Sequence, residues 1–144
     1  MTFSELPISC YIRTLNEERM IGEVISSAKK ICSEVIIIDS LSIDKTKSIS
    51  LSLGAKVYDQ PWLGNGFQKR VGEDKSKNDW VLDIDADELV SDEMVNEIKT
   101  YFKNPTFQIQ EVDRLGESYV EMLLFLFFMG FLLRTILSLR LFCL

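Results

Sequence analysis

Acidic residues stand at the ends of two predicted strands, and they are the groups in this sequence best placed to do chemistry. Asp39 ends the apolar run 34–39, while Asp85 and Asp87 follow the apolar run 80–84. The carboxyl ends of parallel strands meet at one edge of a sheet, so these carboxylates are expected to lie close together. Like charges at short range are costly unless a cation compensates them. A hard divalent ion, Mg²⁺ or Mn²⁺, prefers oxygen ligands and can hold a diphosphate, so it is the predicted partner.

The cluster Asp85-Ala86-Asp87-Glu88 also has a purely structural interpretation, as a solvated acidic turn that caps the next helix. An Asp-x-Asp triplet alone is weak evidence for a ligand site. Its position after an apolar strand, with Asp39 at an equivalent strand end, favours the ligand site. Taken by itself, Asp39 is explained nearly as well as a turn residue.

The elements that must position these acids alternate between strand and helix. Short apolar or β-branched runs between polar turns predict strands at 8–14, 34–39, 56–59 and 80–84. Caps and apolar spacing predict helices at 16–28, 44–54, 67–77 and 92–103. Asn16 and Asp44 are the predicted caps of the first two helices, and Leu51 is placed on the apolar side of the second. Repeated β-α units of this length imply a mainly parallel sheet, and therefore an α/β fold.

Composition excludes several classes of function. A net charge of −6 argues against a nucleic-acid-binding surface, which needs clustered Lys and Arg. The chain has no histidine, so it lacks the commonest general base and any His-ligated metal centre. Cys10 and Cys32 stand in apolar runs and are predicted core residues of a reduced, cytoplasmic protein. Residues 1–7 show no basic and apolar regions typical of a secretory signal.

Several blocks of residues, in a fixed order, resemble those of family 2 glycosyltransferases. The blocks are Thr14-Leu15-Asn16-Glu17, Asp39-Ser40-Leu41-Ser42-Ile43-Asp44-Lys45-Thr46, Trp62-Leu63-Gly64 with Gln68-Lys69-Arg70, and Asp79-Trp80-Val81-Leu82-Asp83-Ile84-Asp85-Ala86-Asp87-Glu88. Within that family the sequence is most similar to the bacterial lipopolysaccharide-core glucosyltransferase branch. The resemblance covers about residues 8–104, and ordered blocks are more specific than any single one.

The resemblance implies a GT-A fold and inverting transfer of a sugar from a nucleotide-sugar donor, commonly a UDP-sugar. By position, Thr14 and Asn16 would line the nucleotide pocket and Asp39 would bond the base. Lys69, with Arg70 as the alternative, would lie near the base or the diphosphate. The roles implied for the acidic cluster are contact with the ribose or metal for Asp85, and metal binding for Asp87.

The sequence departs from the family pattern in two places. Where the family commonly has Gly, Thr and Gly in its second block, this chain has Leu41, Ile43 and Lys45, which is expected to alter the turn. The acceptor half, which normally supplies the catalytic base, has no recognisable counterpart. No catalytic base is therefore assigned, although these acids lie downstream: Glu111, Asp113, Glu117 and Glu121.

The sequence divides into a nucleotide-sugar-binding half-domain at 1–105 and an atypical tail at 106–144, with a predicted apolar helical segment at 119–144. Three interpretations of Met122–Leu144 stay open: a marginal membrane anchor, an amphipathic segment on a membrane surface, or the end of a truncated or frame-shifted chain. A cytoplasmic location, at the inner face of the cytoplasmic membrane if the tail binds it, is expected.

Two functions follow as hypotheses. The first is a glycosyltransferase that uses a nucleotide-sugar donor with Mg²⁺ or Mn²⁺, acts on a lipopolysaccharide-core or similar glycan acceptor, and is inactive if the chain is truncated. The second is a non-catalytic nucleotide- or metal-binding module tethered to a membrane or to a partner chain. A Rossmann-type dehydrogenase is disfavoured, because no Gly-x-Gly-x-x-Gly follows the first strand.

Overall fold

The structure, a computed structural model, describes residues 6–103 and 140–143. Along the chain the elements are β1 (Leu6–Thr14), α1 (Ile21–Ala28), β2 (Cys32–Asp39), α2 (Thr46–Ser52), β3 (Lys56–Asp59), α3 (Asn65–Lys75), β4 (Trp80–Asp85), α4 (Asp92–Lys103) and β5 (Arg140–Cys143). The strands lie in one sheet in the order β3-β2-β1-β4-β5. β1 to β4 pair in parallel, whereas β5 is antiparallel to β4. The predicted mainly parallel α/β sheet is confirmed.

The apolar residues of the strands alternate between two faces of the sheet, as the two-residue period of a strand requires. Ile8, Cys10 and Ile12 of β1 face the larger core, which also contains the apolar sides of α1 and α4. Tyr11, between them in sequence, faces a smaller core on the other side of the sheet, where Val71 of α3 packs. The helices thus cover both faces, so the central strands are apolar on both sides.

Helix α3 packs very closely on the sheet because Gly72 lies directly over the ring of Tyr11. A Cβ atom at residue 72 would be 2.4 Å from Cγ of Tyr11, well inside van der Waals contact. Only glycine allows this separation between helix and strand. This short distance between α3 and the sheet determines how far the polar residues of α3 lie from the side chains of the sheet.

Two details of the helices differ from the sequence-based expectation. Asn16 does not cap α1, which begins at Ile21. Asn16 has a left-handed φ of 56°, and its amide oxygen accepts a hydrogen bond from Ile43 N instead. Leu51 is 60% exposed rather than on the apolar side of α2. In that seven-residue helix the buried positions are Thr46 and Ser50.

The predicted apolar helical segment 119–144 lies outside the described residues except at its end. There the prediction of a helix is wrong, because Arg140–Cys143 forms strand β5. This short run pairs with β4 from Trp80 to Asp83 and so covers the otherwise open edge of that strand. Within the described residues, no helix reaches the length and apolarity that a membrane crossing needs.

A buried carboxylate joins strands at the end of the sheet opposite to the acidic strand ends. The side chain of Glu34, 2% exposed, accepts hydrogen bonds from Ser9 Oγ at 2.7 Å, Lys77 N at 3.0 Å and Lys56 Nζ at 2.6 Å. Burial by itself raises the pKa of Glu34, but these hydrogen bonds outweigh burial and leave the pKa below its ordinary value of 4.5.

Replacement of Glu34 by glutamine is expected to lower the free energy of unfolding at pH 7 by about 2 kcal/mol, the scale of hydrogen bonds to a buried charge. Because the folded-state pKa is depressed, this stability is present above the ordinary value of 4.5 and is lost as the pH falls through the folded-state pKa. Urea unfolding from pH 7 to pH 3 measures both effects. Asp92→Asn, which breaks an exposed ion pair with Lys30, is the control and should change little. Equal acid sensitivity of Glu34→Gln and the parent chain would contradict this assignment.

Candidate functional site

A cleft of about 440 Å³ opens at the carboxyl ends of the parallel strands. It lies around β1, where the strand order turns from β2 on one side to β4 on the other. In open α/β sheets this reversal leaves a crevice in which ligands bind. The residues that line the cleft come from the carboxyl ends of β1 and β4 and from the segments after β1, β2, β3 and β4: Arg13, Thr14, Leu15, Glu17, Ser40, Trp62, Asp85, Ala86 and Asp87.

Strand register brings the predicted residues to this rim. Thr14 pairs with Asp39 across β1 and β2, and Arg13 pairs with Asp85 across β1 and β4. The predicted convergence of strand-end carboxylates therefore holds, with Thr14 and Arg13 between Asp39 on one side and Asp85 on the other.

Asp39 is fully buried and is held by hydrogen bonds to its own neighbourhood. Its Oδ1 accepts from Thr14 Oγ1 at 2.8 Å and from Ser42 Oγ at 2.6 Å, and its Oδ2 accepts from Ser42 N at 2.7 Å. The Ser42 hydroxyl also accepts a hydrogen bond from Asn16 N at 2.8 Å. Asp39 thus fixes the loop after β2 against the loop after β1, and it does not itself line the cleft.

The turn after Asp39 keeps a left-handed residue although the glycine of the family pattern is replaced. Leu41 has a φ of 65°, a conformation that L-residues rarely adopt. Its side chain is half exposed. The hydrogen bonds of Asp39 to Ser42 close the turn around Leu41 and offset its strain, which is of order 1–3 kcal/mol for such residues. Leu41 therefore occupies the left-handed position that glycine would fill.

Asp85 faces the cleft and is paired with a cation of the protein itself. Its Oδ1 accepts a hydrogen bond from Arg13 Nη2, and Arg13 Nη1 donates to Asn65 Oδ1 at the start of α3. The side chain of Asp85 is 43% exposed, while that of Arg13 is 12% exposed. Arg13 therefore supplies part of the charge compensation that the sequence alone attributed to a metal ion.

Lys69 lies beneath the rim. Its Nζ donates to Oδ2 of Asp83 at 2.7 Å, and Asp83 is 1% exposed. Lys69 does not line the cleft in this structure. The predicted contact with a base or diphosphate would require Lys69 to exchange or share this partner.

Asp87 lines the cleft beyond Asp85, in a turn that Glu88 closes. Glu88 Oε2 accepts a hydrogen bond from Asp85 N at 3.2 Å, and Glu88 N donates to Asp85 O at 3.1 Å. Partial burial raises the pKa of Glu88, and the charges of Asp85, Asp87 and Asp83 raise it further, against the lowering effect of the Asp85 N–H. The turn therefore concentrates negative charge at the cleft mouth, where a cation would be stabilised.

Asp85 and Asp87 provide oxygen ligands that suit Mg²⁺ or Mn²⁺. In the described part of the chain, no group of three or more Asp, Glu, Cys or His side chains is arranged to hold a metal ion. Asp85 is, in addition, already paired with Arg13. These residues fit a cation that takes its remaining ligands from a diphosphate and water, as Mg²⁺ commonly does, and not one enclosed by protein alone.

The cleft is thus lined by Thr14, Asp85 and Asp87 of the predicted site residues, whereas Asp39, Asn16 and Lys69 do not line it. Arg13 lines the cleft but is not among the residues predicted from the sequence. A signal for it was present, since Arg13 is the one charged residue in the otherwise uncharged strand β1. A charged side chain in a largely buried strand needs a partner of opposite charge. The charged residues near the carboxyl ends of the neighbouring strands are all acidic, so they are the candidate partners.

Together, the doubly covered parallel sheet and the acidic cleft at its strand reversal define the class of α/β domains that bind ligands at the carboxyl ends of their strands. A family model narrows this class: "Glycosyl transferase family 2" matches residues 9–125. The chain belongs to glycosyl transferase family 2.

Among curated relatives, an uncharacterized glycosyltransferase of Rickettsia bellii is 52% identical over 95 residues, which are 66% of this chain and 32% of the relative. The lipopolysaccharide core biosynthesis glycosyltransferase LpsC of Rhizobium meliloti is 35% identical over 89 residues, 58% of this chain and 33% of the relative. The chain therefore spans about a third of the length of the curated relatives it matches.

Among solved structures, the chain resembles glucosyl-3-phosphoglycerate synthase from Mycobacterium tuberculosis, determined with Mn²⁺, UDP and glucosyl-3-phosphoglycerate. The TM-score is 0.51 at 28% identity, over 57% of this chain and 35% of that chain. S. aureus TarS aligns with a TM-score of 0.61 at 20% identity, over 79% of this chain and 39% of that chain, which shows the fold alone. The predicted GT-A type of fold is confirmed for the described residues.

Proposed function

We propose that this chain is the donor-binding part of an inverting family 2 glycosyltransferase. It binds a nucleotide-sugar, for which we propose a UDP-sugar, together with Mg²⁺ or Mn²⁺, for transfer of the sugar to a lipopolysaccharide-core or similar glycan. The observation that carries the proposal is the pair Asp85 and Asp87 in a cleft at the strand reversal of a family 2 domain. The donor is supported by the UDP and Mn²⁺ in the related synthase, and the acceptor by the name of the Rhizobium relative.

The proposed roles follow from where the side chains lie. Thr14 and Ser40 offer hydroxyl groups at the side of the cleft towards β2, and Asp39 holds both segments in place behind it. Trp62, 57% exposed, offers an aromatic face on the loop after β3. The base and ribose of the donor are therefore assigned to this side of the cleft. Asn16 supports the loop after β2, because its amide oxygen accepts a hydrogen bond from Ile43 N.

The acidic side of the cleft is assigned to the diphosphate. Asp87, and Asp85 beside it, would hold a divalent cation against the phosphate oxygens. A bound cation neutralises the charge that develops on a leaving diphosphate. Asp87 is exposed and lines the cleft, and Arg13 is ion-paired with Asp85. We assign no catalytic base within the described residues.

The proposal extends to the organisation and location of the chain. Residues 1–105 form the donor-binding half-domain, and the segment 119–144 contributes any membrane association, at the inner face of the cytoplasmic membrane. The alternative function is a non-catalytic nucleotide- or metal-binding module. It would account for the described residues offering a nucleotide-binding cleft without an assigned catalytic base.

Release of UDP from UDP-glucose in the presence of Mn²⁺ and a lipooligosaccharide acceptor tests the transferase against the binding module. The transferase requires release that depends on acceptor and metal. UDP binding without any release supports the binding module. Failure to bind any nucleotide diphosphate, with or without metal, contradicts both functions.

A further inference from the structure

A buried ion-pair cluster lies directly below the donor cleft. Asp83 and Asp85 are two residues apart on β4, so their side chains are on the same face of the sheet. Arg13 is on the adjacent strand β1, in register with Asp85, and Lys69 of α3 contacts Asp83. Two cations and two carboxylates thus meet between the sheet and α3, on the face occupied by the Tyr11 core.

Asp83 is the centre of this cluster and has no access to the cleft. It is 1% exposed, and it accepts hydrogen bonds from Arg13 Nη2 at 3.3 Å and from Lys69 Nζ at 2.7 Å. Loss of either cationic partner would leave the buried carboxylate incompletely compensated, which is strongly unfavourable in the protein interior. Asp83 therefore restrains Arg13 and Lys69 more strongly than exposed ion pairs restrain their members.

Arg13 transmits this restraint to the cleft. Its guanidinium contacts Asp83, Asp85 and Asn65 through its two terminal nitrogens. Its Nε is buried without a hydrogen-bond partner among residues 6–103, so only these terminal contacts orient the group. The planar fork of arginine reaches two carboxylates and an amide together, which the single ammonium of lysine cannot reproduce.

We propose that Asp83 and Arg13 are positioning residues of the donor cleft. Asp83 fixes Arg13, and Arg13 fixes Asp85 and the start of α3 in the orientation that accepts a cation-bound nucleoside diphosphate. This inference rests on the proposed function. The charge of Asp85 is then partly balanced by Arg13. Asp87 is the cleft aspartate without a cationic partner among the described ion pairs.

The test uses the full chain and two variants, Arg13→Lys and Asp83→Asn. Isothermal titration with UDP is performed with Mn²⁺ and, separately, with EDTA. We expect the UDP affinity in Mn²⁺ to fall about 10–100-fold in both variants, the usual effect of removing groups that orient a metal ligand. The affinity in EDTA should stay within a factor of two or so of the parent chain, because Asp85 then has no cation to hold.

Matched controls lie in an ion pair outside the cleft: Asp59→Asn makes the same change as Asp83→Asn, and Lys47→Arg makes the reverse exchange of the two cationic side chains. They should leave both affinities unchanged. If Asp83→Asn does not fold, Arg13→Lys, which retains the positive charge, decides the question. Parent-like affinity of folded Arg13→Lys in Mn²⁺ overturns the inference, as does an equal loss in Mn²⁺ and EDTA. Absence of UDP binding by the parent chain overturns the proposed function instead.

Discussion

Replacement of Asp87 by alanine is expected to abolish the Mn²⁺-dependent part of UDP binding. Asp87 is the cleft aspartate that the described ion pairs leave without a cationic partner, so we assign the cation to Asp87 in preference to Asp85. Loss of groups that only orient a ligand lowers metal affinity about 10–100-fold, and loss of the ligand itself should reach the upper end or exceed it. UDP release from a UDP-sugar should disappear with it.

Isothermal titration of UDP in the presence of Mn²⁺ measures this change. Asp74→Ala is the matched control, since Asp74 is an exposed carboxylate of α3 that does not line the cleft. The control should bind UDP as the parent chain does. Asp87→Ala with undiminished Mn²⁺-dependent affinity would show that the cation, if one binds, is held elsewhere.

A methyl group at residue 72 is expected to have the largest effect on stability. The new Cβ would lie 2.4, 2.5 and 2.9 Å from ring carbons of Tyr11, which is itself fully buried. Neither the ring nor the helix can yield without opening the smaller core, so Gly72→Ala should lower the free energy of unfolding by about 3 kcal/mol. Displacement of α3 also moves Gln68 and Lys69, so UDP affinity should fall as well.

Gly66→Ala is the control for Gly72→Ala on the same helix. A Cβ at residue 66 meets nothing within 4 Å in the described part of the chain. Because alanine favours helix over glycine by up to about 1 kcal/mol, Gly66→Ala should be neutral or stabilising. Urea unfolding of both variants gives the comparison. Equal stability of the two would mean that α3 does not pack against Tyr11 as closely as the structure shows.

The rim of the site was predictable because it depends on local patterns. β-branched runs ended by acids define strands, and parallel pairing of strands then brings Asp39 and Asp85 to one edge. The same local patterns do not predict which side chains form ion pairs with each other. Arg13, Asp83 and Lys69 come from three separate elements, and their meeting depends on the depth at which α3 packs.

Other differences have equally specific causes. Asn16 looked like a helix cap, but a left-handed backbone and a bond from Ile43 N direct its amide to the neighbouring loop. The sequence predicts residues 140–143 to be part of an apolar helix. The hydrophobic pattern of this segment does not show that β4 has an unpaired edge, with which these residues pair as a strand. In each case a long-range contact overrides a local preference.

The most consequential difference between the sequence-based prediction and the structure concerns what balances the charge of the aspartates. The carboxylates alone predict a metal ion as the balancing charge, yet Arg13 and Lys69 already balance Asp83 and Asp85. The cleft is therefore expected to bind a cation weakly by itself and more tightly when a diphosphate supplies further oxygens. Cation and nucleotide are then expected to strengthen each other's binding, and by linkage to the same degree.

Titration of the parent chain with UDP, with and without Mn²⁺, tests this account most directly. We expect Mn²⁺ to tighten UDP binding by at least about 10-fold, a coupling of about 1.4 kcal/mol, and UDP to tighten Mn²⁺ binding by the same factor. UDP binding that is indifferent to Mn²⁺, or Mn²⁺ binding that is equally tight without UDP, would contradict it.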